Sequence, residues 1–160
     1  MNPVSEHHRI ANLTLDERLV VRRNPDIEHE RQVAIFDLLE DNWFRPAGDL
    51  EGPYDLHLSL EENRLVFTIR GEGEGEGARV LLPLTPFRRV IKEYFVVCGS
   101  YFEAIKRGTR AQIETLEMGR RSLHNDGSEI LRERLDGKIE IDFDTARRLF
   151  TLLCVLHIRS

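Results

Sequence analysis

The chain has 160 residues, of which 41% are hydrophobic and 32% are charged, as in one ordinary globular domain. A chain of this length buries roughly 68–70% of the surface that its unfolded form exposes, so its core needs no disulfides or metals. Its two cysteines, Cys98 and Cys154, lie far apart in apolar helical patterns, which argues against a disulfide scaffold and a CxxC zinc site. We expect a single domain over residues 1–160, with no cofactor and no metal, in the reducing cytoplasm.

Charge and hydropathy narrow the classes of partner. The formal net charge is −5, which makes the chain a poor candidate for nonspecific binding to duplex DNA. The longest apolar run, residues 152–156, is far shorter than the ~18 residues of a membrane span, and the N-terminus lacks a signal-peptide pattern. We therefore expect no membrane association. Basic residues outnumber acidic ones only in the second half of the chain, so any phosphate site is expected to be local and to lie there.

The first elements are a strand and a helix. Residues 9–15 alternate loosely between apolar and polar and predict a strand, whereas residues 16–23 are ambiguous. The sequence Asn-Pro-Asp at 24–26 supplies an N-cap, a proline suited to the first turn and an early acid, which predict a helix over residues 25–41. We expect residues 43–44 to pack against the end of this helix, before a loop rich in glycine and proline.

The clearest strand signal follows this loop. Apolar residues alternate over residues 54–60 and again over residues 65–69, with a hairpin turn at residues 61–63. A third strand over residues 79–84 is joined to the second by the Gly-Glu tract at residues 71–77, which we expect to be a flexible hairpin loop. The three strands predict an antiparallel meander with one apolar face, and this face requires helices packed against it.

The remaining residues predict those helices. Residues 85–107 carry a broad apolar stripe that we expect to be buried. Thr109 and Gln112 match a capping box that opens a third helix, which we expect to break near residues 125–127 and to continue briefly over residues 128–135.

The last predicted helix is apolar on almost every side. Either Asp142 or Asp144 caps it, and its composition places it at the centre of the molecule. The elements together predict an α+β fold: an antiparallel β-meander of three to four strands packed on one face by four to five helices, with a helical C-terminal half. Residues 1–8 are expected to be disordered.

The densest group of functional residue types surrounds residue 120. Arg120 and Arg121 lie four and three residues before His124, so two guanidinium groups and an imidazole share a helix face, next to Asn125. This group could bind a phosphate, or stabilise charge in phosphoryl transfer with His124 as acid or base. In the alternative interpretation, Arg121 pairs with Glu117, and His124 and Asn125 close the end of the helix.

We expect Arg147 and Arg148 to border the same site. They lie in an early turn of the last helix, where the helix dipole disfavours cations, so each is expected to have another partner. That partner could be a ligand, or internal acids such as Asp144 and Glu140.

Other histidines and the cysteines give weaker signals. His57 shares a strand face with Asp55 and Ser59, but residues two apart on a strand lie ~6.6 Å apart and do not relay a proton. The adjacent histidines at 7–8 lack identifiable partners for a metal. Both cysteines are interpreted as small core residues.

Five segments spread over nearly the whole chain carry a family resemblance. They are Asn24-Pro25-Asp26-Ile27-Glu28-His29-Glu30-Arg31 with residues 34–40, Gly52-Pro53-Tyr54 with residues 56–60, residues 84–89, Met118-Gly119-Arg120-Arg121 with Leu123-His124-Asn125, and residues 138–150. They resemble uncharacterised bacterial protein family 0262, known by a serial number. The resemblance implies no activity, because the family has none assigned.

A second resemblance is fainter. An Arg followed by a His near a helix end, ahead of an apolar helix, is similar to the small helical ribonuclease and antitoxin-associated bundles of the HEPN type. That resemblance implies that Arg120 or Arg121 positions a phosphate and that His124 assists attack by a 2′-hydroxyl. Only three residues separate Arg120 from His124, and the β-meander is foreign to such bundles.

Two functional hypotheses follow. The chain lacks any metal, nucleotide or nucleophile motif of specific spacing, which favours a noncatalytic regulatory or interaction domain whose partner is another protein. The alternative is a protein that binds a phosphate-containing ligand, a nucleotide or RNA, or cleaves a phosphoester. Its candidate residues are Arg120, Arg121, His124, Asn125, Arg147 and Arg148.

Overall fold

The structure, a computed structural model, describes residues 7–16, 25–73 and 75–157. In chain order its elements are β1 (Ile10–Leu15), α1 (Pro25–Glu40), β2 (Phe44–Pro46), β3 (Tyr54–Glu61), β4 (Arg64–Arg70), β5 (Ala78–Pro83), a 3₁₀ turn (Thr85–Phe87), α2 (Arg88–Arg107), α3 (Arg110–Leu135), β6 (Ile139–Ile141) and α4 (Phe143–His157). The predicted α+β class, with a helical C-terminal half, is confirmed. Most of the ambiguous stretch at 16–23 lies outside the described residues.

The predicted meander is present as β3, β4 and β5. Both pairs of neighbouring strands are antiparallel, with Leu58 opposite Phe67 and Phe67 opposite Val80. Glu62 and Asn63 connect β3 to β4 with φ values of 48° and 63°, the positive angles that a tight two-residue hairpin requires. The alternation of buried leucines along β3 directs one face of the sheet toward the helices.

The strand at the sheet edge corrects part of the prediction. The sheet order is β1-β3-β4-β5, and β1 runs parallel to β3, with Leu13 opposite Leu56. The sheet is therefore mixed rather than wholly antiparallel. Parallel strands need a long crossover, which the segment containing α1 supplies.

A second, two-stranded sheet was not predicted. Phe44 of β2 lies opposite Ile141 of β6, and Pro46 lies opposite Ile139. Each strand has only three residues, too few for periodicity to distinguish a strand from a loop. Phe44 is fully buried, so the expected packing of residue 44 onto the body of the protein takes the form of a strand.

α3 is one continuous helix, so the predicted break near residues 125–127 is wrong. Its capping box is confirmed: Gln112 N donates to Thr109 Oγ1 at 3.2 Å, and Thr109 N donates to Gln112 Oε1 at 2.9 Å. Gly127 is buried within the helix, and a Cβ added there would lie 2.1 Å from Phe150 Cζ. This glycine therefore permits close packing of α3 on α4 rather than ending a helix.

α4 occupies the centre of the core, as predicted. Asp142 Oδ1 accepts a hydrogen bond from Thr145 N at 2.9 Å and is the cap of this helix. Apolar side chains of the sheet and of α3 meet those of α4 in the core: Leu58, Leu65, Phe67, Leu131, Leu149, Leu152, Leu153 and Leu156. α1 packs against α4 from another side.

The apolar stripe predicted to be buried is buried only at one end. Phe87, Val90 and Ile91 lie in the core, whereas Phe102 is 55% and Ile105 52% exposed. α4 has 15 residues and α3 has 26, which correspond to helices of about 22 Å and about 39 Å. α3 is thus much longer than α4, against which it packs, and the C-terminal part of α2 packs on α3 with Phe102 and Ile105 exposed.

The N-terminal residues and the Gly-Glu tract were both expected to be loosely held. His8 O accepts a hydrogen bond from Phe44 N at 2.9 Å, and its ring contacts Trp43 edge-on, so the expected disorder does not include this residue. Residues 1–6 lie outside the described residues. In the tract, Glu72 N donates to Glu51 O at 2.9 Å, and residue 74 lies outside the described residues. Within the described ranges, no helix combines the length and apolar character that a membrane crossing requires.

Replacing Gly127 with alanine should destabilise the protein because the methyl group of the alanine would overlap the ring of Phe150. We expect Gly127→Ala to lower the free energy of unfolding by about 1–3 kcal/mol, the usual cost of overpacking. The matched control is Gly119→Ala in the same helix, where the nearest atom to an added Cβ is 3.8 Å away. This control should be neutral or stabilising by up to about 1 kcal/mol. Equal stability of the two variants in urea denaturation would contradict the packing described.

Candidate functional site

Arg120 is engaged by its own helix. Its Nη2 donates to both carboxylate oxygens of Glu117, at 3.0 and 2.8 Å, and its guanidinium lies 4.9 Å from the centre of the Tyr101 ring. The hydrogen bond from Arg120 is the main cause of a lowered pKa at Glu117. The positive charge of Arg120 is therefore mostly neutralised by Glu117 and is poorly available to a phosphate.

Arg121 is more loosely held. Its Nη2 lies 3.4 Å from Glu117 Oε1 and its side chain is 64% exposed, so the pair contributes little to stability. Glu117 thus binds Arg120 more closely than Arg121, the partner assigned to it in the alternative interpretation. Arg121 extends from the exposed surface of α3.

His124 lies inside α3 and is packed between aromatic rings. Its ring centre lies 5.2 Å from that of Phe150 and 5.7 Å from that of Tyr94. Its Nε2 lies 2.7 Å from Thr151 Oγ1, and that hydroxyl in turn donates to Arg147 O at 3.0 Å. Because the hydroxyl has one proton, we assign the proton of the neutral imidazole to Nε2, so His124 donates to Thr151.

The environment of His124 keeps its ring neutral. Burial is the largest cause, with Arg147 and Arg120 adding to it, and together they lower the pKa of His124 to about 4. Its Nδ1 is buried and has no hydrogen-bond partner among the described residues. At neutral pH the ring therefore supplies hydrogen bonds but no positive charge. α3 continues to Leu135, so neither His124 nor Asn125 lies at the end of a helix. The alternative interpretation, in which these two residues close a helix end, is wrong on this point.

The candidate residues form two groups rather than one. His124, Asp144, Arg147, Arg148 and Thr151 line an open depression of about 270 Å³ at the side of α4. The Nη1 of Arg148 donates to the backbone oxygen of Asp41 at 3.0 Å. Arg120, Arg121 and Asn125 do not line this depression.

The depression can hold a small anion only weakly. Arg147 and Arg148 bring two positive charges, Asp144 brings one negative charge, and the neutral imidazole adds none. Thr151 and His124 already bind one another. The described lining residues include no cysteine or lysine that could act as a nucleophile.

The strand histidine is structural. His57 Nδ1 lies 2.7 Å from Thr14 Oγ1, and Asn12 Nδ2 donates to Asp55 Oδ1 at 2.7 Å, so these side chains join β1 to β3. Across the part of the chain that the structure describes, no three His, Cys, Asp or Glu side chains are grouped as a metal would require.

The most conspicuous surface is one that sequence analysis missed. We define the outer hairpin as residues 96–107 of α2 with residues 110–118 of α3. It exposes four large apolar side chains, at 64%, 55%, 52% and 71%: Val96, Phe102, Ile105 and Met118. The signal was the width of the apolar stripe on α2, which is broader than one neighbouring helix can cover.

The model of the uncharacterised protein family UPF0262 matches residues 7–159. The chain belongs to this family. UPF0262 proteins that resemble it include one from Paramagnetospirillum magneticum, 58% identical over 95% of this chain and 97% of that protein. Others are found in Agrobacterium fabrum, 56% identical over 95% of this chain and 96% of that one, and in Phenylobacterium zucineum, 56% identical over 97% and 96%. No solved structure matches the chain.

The family match confirms the resemblance found in the sequence. UPF0262 has no assigned function, so it transfers no activity to the candidate residues. The residues of the depression beside α4 and of the outer hairpin all lie within the matched region.

The protonation of His124 should be visible in the pH dependence of stability. The native pKa of about 4 lies below the ~6.5 of an unfolded histidine, so between these values the unfolded state alone binds the proton. Stability contributed by neutral His124 is therefore fully present above pH ~6.5 and is lost as the pH falls toward 4.

We expect wild type to lose about 2 kcal/mol more than His124→Gln between pH 7 and pH 4, allowing for partial solvent access to the ring. Urea denaturation at each pH measures the difference, and NMR titration of the native imidazole measures the pKa directly. A native pKa near 6.5 would contradict the burial described.

Proposed function

We propose that this UPF0262 protein is a noncatalytic protein-interaction domain that docks through the outer hairpin. One observation carries the proposal: Phe102 and Ile105 are more than half exposed although they continue a stripe that begins in the core. In the outer hairpin α2 and α3 pack on each other, and the exposure of Phe102, Ile105 and Met118 means that α4 does not cover these side chains.

The energetic argument is the usual one for an exposed apolar surface. Full burial of a Phe or Ile side chain contributes about 1.5–3 kcal/mol, and a few such residues commonly dominate the affinity of an interface. Scattered apolar side chains are ordinary on a protein surface, whereas neighbouring ones that form a continuous apolar patch are typical of a binding site. Phe102 and Ile105, three residues apart on one helix, are neighbours of this kind. A partner that covers Phe102 and Ile105 would therefore gain substantial affinity.

The electrostatics of the Arg and His group also support a noncatalytic role. Arg120 is bound by Glu117, and His124 is neutral and hydrogen-bonded to Thr151. Groups already satisfied within a fold are poorly available to a substrate.

The test compares charged substitutions on two exposed apolar sites. Phe102→Glu removes the proposed contact, and Phe36→Glu, on α1, is the matched control because Phe36 is 64% exposed. Tagged protein, expressed at its native level and chemically cross-linked in cells, should lose its cross-linked species with Phe102→Glu and retain them with Phe36→Glu. Circular dichroism should show equal helicity.

The proposal fails if the two variants give the same cross-linked species as wild type. It also fails if Phe36→Glu alone removes them, because the docking surface would then lie on α1.

A second candidate function rests on the depression beside α4. Arg147 is exposed and forms no ion pair with a described residue, and it lines the depression together with Arg148 and Thr151. This arrangement supports binding of a phosphate group, as in a nucleotide or RNA, with cleavage of a phosphoester as the stronger version of the hypothesis.

Phosphate binding can be measured by thermal shift and NMR, since a ligand bound only by the native state raises its stability. Inorganic phosphate and a short RNA should raise the melting temperature of wild type and of Arg121→Ala, but not of Arg147→Ala. The control is apt because Arg121 does not line the depression. An equal response of all three proteins, or none, would eliminate this candidate.

A further inference from the structure

We propose that the partner of the outer hairpin presents an acidic amphipathic helix, which packs on Phe102 and Ile105 and places carboxylates opposite Lys92 and Lys106. The inference rests on the proposed function and gives the chemistry of the partner that docks there. It follows from the exposed apolar pair, from a row of unpaired cations beside it and from a glycine in the middle of that row.

The apolar part of the surface is small and lies near the end of α2. Phe102 is 55% and Ile105 52% exposed, and because they are three residues apart they are neighbours on one face of the helix. Earlier along the same stripe, Ile91 is buried, and Phe95 and Cys98 are half-buried against the chain's own core. The apolar contacts of a partner are therefore confined to the last turns of the stripe.

A row of exposed cations runs beside the apolar pair. Lys92, Gly99 and Lys106 recur every seven residues, which places them on one side of α2, and we call them the basic flank. Lys106 follows Phe102 by four residues, so the flank adjoins the apolar pair. Arg88, four residues before Lys92, is exposed on the same side. None of these three cations forms an ion pair with a described residue, so their charges are available to an acidic partner.

The acidic side chains of α2 do not neutralise the basic flank. Glu93 accepts a hydrogen bond from Arg89 Nε at 3.2 Å on another side of the helix. Glu103 is exposed and borders the flank on the side away from Phe102, because successive residues of a helix point about 100° apart. The strip of α2 between Phe102 and Glu103 therefore carries positive charge only.

Gly99 makes the centre of the basic flank accessible to a second backbone. It is exposed, and a Cβ added there would meet nothing within 4 Å. A glycine inside an exposed helix is destabilising relative to alanine, and no contact within the described chain explains this one. Without a side chain between the two lysines, a partner helix can lie close to α2 and bring its carboxylates within reach of both. Lys92 and Lys106 are about 21 Å apart along the helix axis, so the partner helix needs about four turns.

A helix suits this surface better than an anionic bilayer does. The seven-residue recurrence of the flank matches the period at which a second helix presents its side chains, and apolar anchors three or four residues apart are typical of helix recognition. A bilayer would also face Glu103 and the exposed Glu114 of the same hairpin. The net charge of −5 opposes adsorption of the chain to anionic lipid.

Fluorescence anisotropy with two synthetic peptides is the primary test. Both are helical peptides of three heptads with leucine at the a and d positions, and they carry either glutamate or lysine at the flanking positions. The full chain should bind the glutamate peptide at least about 10-fold more tightly than the lysine peptide, and added salt should weaken this binding. Phe102→Glu should weaken it by about 100-fold or more, because it replaces an apolar anchor with a like charge.

Charge reversal on the basic flank tests the role of the lysines. The double variant Lys92→Glu with Lys106→Glu should bind the glutamate peptide about 10-fold more weakly than wild type and should bind the lysine peptide more tightly. A loss of folding would weaken both, so the exchange of preference is specific to the charges. The matched control is Lys138→Glu, an exposed lysine outside α2, which should bind as wild type does. An unchanged preference in the double variant would overturn the inference.

A carbodiimide locates the contact directly. It joins a carboxylate of the glutamate peptide to a neighbouring lysine amine as an amide, with loss of water. Mass spectrometry of the wild-type complex should find this amide at Lys92 and Lys106 but not at Lys138. Equal yields at all three lysines would overturn the proposed location.

Failure of the glutamate peptide to bind at millimolar concentration, or equal binding of the two peptides, would also overturn the inference. Without peptide binding, adsorption to phosphatidylserine vesicles or self-association of wild type that Phe102→Glu abolishes would assign the surface to a different occupant. None of these results decides the proposed function. If Phe102→Glu still removes cross-linked species in cells, the docking surface stands and its partner is not an acidic helix.

Discussion

The burial of α4 is the constraint on which the remainder of this structure depends. Its residues 149, 150 and 152–156 are all buried: α1 and α3 pack against it, leucines of the sheet meet its own leucines, and Tyr94 of α2 contacts Phe150. The close approach of α3 is possible because the residue at 127 is a glycine, which leaves room for the ring of Phe150. α4 is also much shorter than α3, and Phe102 and Ile105 of α2 are left exposed.

The same packing decides the chemistry of the candidate site. His124 lies where α3 meets α4, and burial there keeps its imidazole neutral at physiological pH. Its proton is directed toward Thr151 of α4, so the residue that most resembled a catalytic base helps to join two helices. Arg120 is bound to Glu117 one turn away. Polar residues that resemble an active site in sequence are thus largely engaged in holding the helices together.

The features that depend on residues close in sequence were predicted well, whereas those that depend on contacts between distant residues were not. The capping box at Thr109 and the alternation along β3 depend on neighbours in sequence and were found correctly. Gly127 was interpreted as a helix end because a glycine that ends a helix and one that admits a distant ring look alike in sequence. The direction of β1 depends on a crossover, and the contact between His124 and Thr151 spans 27 residues. The helical periodicity of the sequence identified the apolar stripe on α2, but it carries no information on how many other helices pack against that stripe.

The central claim is that the core of the chain does not cover the outer hairpin, whose apolar side chains Phe102 and Ile105 are therefore available to a partner. Amide hydrogen exchange of the purified protein tests this claim most directly, since exchange reports local opening. We predict that the amides of residues 102–107 exchange much faster than those of residues 149–156 in the buried part of α4. Equal protection of the two segments would contradict the claim.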